Sequence, residues 1–96
     1  MDDLLEKVKL ALRIKHTALD DDILDNIEAC LLDLQMHGVV HKGAEDPLIQ
    51  NAVKLYCKAD YNDDPVKAEA FGQRYRELRN CLKNAEGYGW VDEVTE

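Results

Sequence analysis

The run Asp46-Pro47-Leu48-Ile49-Gln50-Asn51-Ala52-Val53-Lys54-Leu55-Tyr56 decides how this chain is read. A carboxylate that can accept from free amide groups stands directly before a proline at the first helical position, where a missing N–H costs nothing. Ile49, Ala52, Val53 and Tyr56 then recur at spacings of three and four, the period of one helix face. A helix from residue 47 to about residue 60 is predicted. Asp63-Asp64-Pro65 repeats the device and predicts a further helix to about Asn84, with Ala68, Phe71, Tyr75, Leu78 and Leu82 on its apolar face. Only residues 61–63 join the two, which favours antiparallel neighbours.

Working back from that run, residues 39–45 have no helical period and read as a loop, and Gly38 before them is a helix stop. The helix it ends should begin near Asp20. Ile23, Ile27, Cys30, Leu31 and Leu34 form its buried face, and Asp20, Asp21 and Asp22 stand where an N-cap and first-turn acids belong. A first helix over about residues 2–14 carries Leu4, Leu5, Val8 and Leu12 at helical spacing. Residues 15–17 form a short link. No period-two alternation and no internal repeat is present. The fold expected is all-α: a compact domain of four helices over residues 1–85, with a short tail over residues 86–96.

Ninety-six residues leave room for one core. Hydrophobic residues at 46% and charged residues at 33% give a globular rather than a disordered composition. No apolar run approaches the ~18 residues of a membrane span. The acidic start Met1-Asp2-Asp3 has no apolar segment of the signal-peptide kind, so synthesis in the cytoplasm is expected. Cys30, Cys57 and Cys81 are odd in number, widely spaced and without a CxxC pair, which argues for core thiols rather than a disulfide or zinc framework.

Asp20-Asp21-Asp22 cannot converge on one ion, because successive helical side chains point about 100° apart. The run from Asp60 to Asp64 has oxygen ligands but lacks the glycine and distal glutamate of a calcium loop, so helix capping explains it better. His37 and His41 have metal-pair spacing, yet Gly38 interrupts the helix between them and no third ligand is apparent. Phosphate loops, nucleophile elbows and dinucleotide fingerprints are missing from the sequence. No catalytic, cofactor-binding or metal-binding residue is expected, and the chain is not expected to be an enzyme.

The charge is more informative. The net value is −8, distributed as −5 over residues 1–45, +1 over residues 46–85 and −4 over residues 86–96. That balance repels nucleic acid, which is held by neutralising its phosphates. Arg76, Arg79 and Lys83 share one face of the last helix. They suit a helix C-terminus, and they also suit an oppositely charged neighbour. A chain acidic at the front and basic late can associate head to tail, and such heterologous contacts close into rings when the rotation allows. Asp25 and Asp33 on the acidic side, with Arg76, Arg79 and Lys83 on the basic side, are the expected subunit interface.

The same residues resemble a known family. Residues 5–15 with Leu12-Arg13-Ile14, then Asp20-Asp21-Asp22-Ile23 and Ile27-Glu28-Ala29, look like the start of phage head–tail connector proteins, also described as DNA-packaging or head-completion proteins. Asp46-Pro47-Leu48-Ile49, Ala52, Val53, Tyr56, Lys58-Ala59 and Tyr61 are similar to that family's third helix, and Tyr75-Arg76-Glu77-Leu78 through Leu82 to its last. The likeness covers about residues 4–85 and rests mostly on caps and apolar faces.

It implies a virion protein at the head–tail interface. About a dozen copies would form a ring beneath the portal, extend the DNA channel and receive the tail or its stopper. It implies no catalytic residues. The acidic-aromatic tail has no counterpart in that pattern. Gly87 and Gly89 bracket Tyr88, and Tyr88, Trp90 and Val91 are expected to dock on a neighbouring subunit or the portal from a mobile segment. The other reading of the tail folds Trp90 back onto its own core. Two other functions fit the composition less well: a small acidic protein-binding module that mimics DNA, and a helical DNA-binding regulator. The regulator would need a basic recognition helix, which only the last helix approaches.

Overall fold

The computed structural model describes residues 2–40, 42–85 and 87–88. Its elements are α1 (Asp2–Leu12), α2 (Asp20–Met36), α3 (Pro47–Tyr61) and α4 (Pro65–Lys83), with no strand among the described residues. The all-α expectation holds. Both Asp-Pro starts act as read: Asp46 accepts from the Leu48 and Ile49 amides, and Asp64 from the Val66 amide.

Helix ends differ more. α1 stops at Leu12, two residues early, because Arg13 takes a left-handed conformation at φ 61°. The Arg13 amide then donates to the Leu10 carbonyl and the Ile14 amide to that of Lys9, closing a Schellman turn without glycine. α2 ends in the same motif with Gly38 at φ 93°. Val39 donates to the Leu34 carbonyl, and both side chains are buried. At its start the N-cap is Leu19 with no side-chain cap, so the three aspartates all lie in the first turn. One of them is taken by another helix: Lys9 Nζ of α1 lies 2.7 Å from Asp20 Oδ1. Lys9 is the only buried charged residue among those described.

α3 is the centre of the bundle. It packs against each of the other three helices and buries Ile49, Ala52, Val53 and Cys57. α1 adds Leu4, Leu5 and Val8, and α2 adds Ile23, Ile27, Cys30 and Leu34. α4 lies mainly on α3 and puts only Tyr75 and Leu82 into the core. One neighbour covers only a narrow strip of a helix, so its expected apolar face is partly uncovered. Leu78 is half-buried at the margin, as are Leu31 and Tyr56. Phe71 is half-buried outside that core, beside two cations, Lys58 at 5.4 Å and Arg74 at 5.8 Å from its ring centre.

Candidate subunit interface

The five charged residues expected at a subunit interface fall into two groups. Asp33, in the last turns of α2, faces α4 of its own chain. Its Oδ2 accepts from the Tyr75 hydroxyl at 2.6 Å and from Arg79 Nη1 at 2.8 Å. Tyr75 and Arg79 are one helical turn apart, so both reach the same carboxylate. Arg79 also lies over the Tyr75 ring at 5.6 Å, and Tyr75 meets Tyr56 edge-on at 5.2 Å. Asp33 and Arg79, read as partners across two copies, are thus partners within one. Asp25, Arg76 and Lys83 remain exposed, with Arg76 in a surface pair to Glu69 at 3.2 Å.

Asp33 ties the outlying α4 to α2. Partial burial pushes its carboxyl up, but the hydrogen bonds from Tyr75 and Arg79 and the guanidinium charge outweigh that and hold it below the ordinary 3.8. Burial and the Asp33 carboxylate push the Tyr75 hydroxyl up, so it stays a donor at any ordinary pH. A carboxylate whose folded value is depressed adds stability that is full above its unfolded value and is lost as pH falls through the folded one. Wild type should therefore lose more stability than Asp33→Asn as pH drops from about 5 to below 3.8. At neutral pH the variant should be weaker by about 1–2 kcal/mol, since both groups are partly solvated. Urea titrations at several pH values measure this. Parallel curves for the two proteins would mean that Asp33 is not held ionised by α4.

Beside this cluster a shallow cleft of about 350 Å³ opens between α3 and α4, floored by Tyr56, Ala59, Gly72 and Tyr75 and edged by Arg76. The other candidate residues are placed as follows. Cys30 and Cys57 are buried, and burial pushes both thiols up to about 12, whereas Cys81 is exposed. Asp60 accepts from Asn26 at 2.7 Å, joining α2 to α3. Among the described residues no group of three or more His, Cys, Asp or Glu is placed to hold a metal, and no helix is long and apolar enough to cross a membrane. His41 lies outside the described residues.

The expected tail begins differently from its reading. Gly87, at φ 87°, turns the chain back, and Tyr88 packs against its own helical unit. The Val40 amide donates to the Tyr88 carbonyl at 2.9 Å. The Tyr88 hydroxyl donates to Asp46 Oδ1 at 3.2 Å, and Lys42 lies 5.8 Å from its ring centre. Tyr88 is therefore engaged within the chain rather than free to reach a partner. Trp90 and Val91 lie outside the described residues.

The described residues thus form a small helical bundle whose second helix is acidic and whose last helix is basic. Residues 4–89 match the family model described as phage connector protein, and the chain belongs to that family. Its role is that of a phage connector-type structural protein, associated with the virion. No curated protein and no solved structure matches.

Proposed function

We propose that this protein is the head–tail adaptor of a tailed phage or prophage: a ring of about a dozen copies that docks under the portal, extends the DNA channel and receives the tail or its stopper. The family match over residues 4–89 carries this reading. The charge distribution supports it. α2 holds six acids and no base in 17 residues, whereas α4 holds five bases and two acids. That separation favours contacts between unlike faces of successive copies. A net charge of −8 also suits a channel through which DNA passes without sticking. Trp90 and Val91, beyond the anchored Tyr88, are the residues proposed to dock on the portal or a neighbour.

The test is a phage or prophage deleted for this gene. Heads should accumulate without tails, and the purified protein added to them should restore tail attachment and infectivity. Normal particles from the deletion strain would reject the reading.

A further inference from the structure

The outer face of α2 has no partner among the described residues, although it is not wholly polar. Leu32 is 57% exposed and Met36 76% exposed, and Asp21, Asp25 and Glu28 continue the same face toward the helix start. Residues 36, 32, 28, 25 and 21 are spaced by four, four, three and four. That spacing keeps them on one strip, opposite the buried Ile23, Ile27, Cys30 and Leu34.

α4 carries a strip of the same spacing. Residues 68, 72, 76, 79 and 83 are Ala, Gly, Arg, Arg and Lys, again separated by four, four, three and four. The small residues lie at one end and the cations at the other. Gly72 lines the cleft beside Arg76 and Tyr75, and the flexible Arg76 guanidinium lies over it, with Nη1 3.3 Å from where a Cβ would stand, so a side chain arriving there must swing that guanidinium aside to reach the aromatic surface. Arg76 and Lys83 are exposed, and α4 is mainly covered by α3 alone.

We propose that a second copy of this chain docks its α4 strip on the α2 strip, the two helices running antiparallel. In that register Met36 meets Ala68, Leu32 meets Gly72 and enters the cleft, Glu28 meets Arg76 and Asp21 meets Lys83, while Arg79 stays with Asp33 of its own chain and leaves Asp25 beside the exposed Arg76. Both apolar side chains face small residues, and the acids at the two ends of the charged stretch face exposed bases, over about 22 Å of helix. The absent side chain at Gly72 lets the helix axes approach to about 8 Å. Since the α2 strip points away from its own core, one chain cannot satisfy both strips, and the contact is heterologous. Leu32 is the anchor and the ion pairs set direction and register, because exposed pairs contribute little singly. The inference rests on the ring reading and names the surface that builds it.

The test uses full-length chains and reads self-association by sedimentation over a wide concentration range, with circular dichroism to confirm folding. Leu32→Asp, at an exposed position, should leave the helical spectrum and Tm unchanged and weaken association roughly a hundredfold. Glu28→Arg and Arg76→Glu should each weaken it about tenfold, because attraction becomes repulsion. Mixed one to one, these two variants should regain association, since each supplies the charge that the other's strip lacks. A wild type that associates while all variants associate equally, or a mixture no better than its components, overturns this interface and leaves the adaptor reading standing. A wild type that stays monomeric at every concentration also overturns it. If Leu32→Asp then loses attachment to portal-bearing heads, the occupant of the α2 face is another phage protein. Failure of the adaptor reading itself shows separately, as normal tailing in the deletion strain.

Discussion

Ile27→Ala is expected to lower the unfolding free energy by about 3–5 kcal/mol, near the top of the range for a buried aliphatic truncation. Ile27 is fully buried at the middle of α2, in the core that α1, α2 and α3 share. Each is held by its neighbours, so collapse around the lost side chain would need two helices to shift together. A chain of this size has on the order of 5–15 kcal/mol in all, so the variant should be close to half unfolded at modest urea. Urea titration followed by circular dichroism measures the effect. A midpoint within about 0.3 M of wild type would mean that this core is not close-packed. Leu78→Ala should cost much less, because Leu78 is only half-buried at the margin of the core.

Asp20→Ala should have the next largest effect, about 2–4 kcal/mol, although Asp20 itself is partly exposed. The cost falls on its partner. The Lys9 side chain is 7% exposed, and removal of Asp20 leaves an ammonium group buried beside apolar surface with no counter-charge. The pair is close, at 2.7 Å, but lies off the hydrogen-bonding direction of Asp20 Oδ1, so charge rather than alignment holds it. The asymmetry is the diagnostic. Lys9→Met, which leaves a carboxylate that is 26% exposed although its Oδ1 is covered, should cost less than Asp20→Ala, and the double variant should recover most of the loss. Thermal unfolding of the three variants measures this. Equal losses for both single changes would show that Lys9 reaches water by another route.

The pair also shows where sequence reading stops. Asp46 and Asp64 were legible as caps because the donors they satisfy are their immediate neighbours in the chain, as the hydrogen bonds to Leu48 and Val66 show. Asp20 looks the same locally, an acid before an apolar-periodic run, yet its partner sits eleven residues back on a different helix. Asp33 is a sharper case. A lone acid on a polar helix face reads as solvated or as available to another molecule, and nothing in its own segment points to Tyr75 and Arg79. The signal lay on α4, where a tyrosine and an arginine one turn apart form a ready-made donor pair.

Phe71 marks a different limit. Periodicity shows which face of a helix is apolar but not how many neighbours will cover it. Arg13 marks another, since a left-handed helix stop normally announces itself as glycine. The charge asymmetry between front and back was readable by counting alone, and it survives in the structure as one acidic and one basic helix.

The position of α4 has a consequence for motion. A helix that rests mainly on one neighbour, contributes two side chains to the core and is fastened sideways by Asp33 needs less free energy to detach than the whole domain needs to unfold. The three-helix unit of α1, α2 and α3 would keep its own apolar contacts if α4 turned about residues 62–64. The fold therefore has two levels of stiffness. In the proposed ring, the firm body would set the spacing between copies, and the compliant arm would absorb small differences in angle where they do not meet on identical terms.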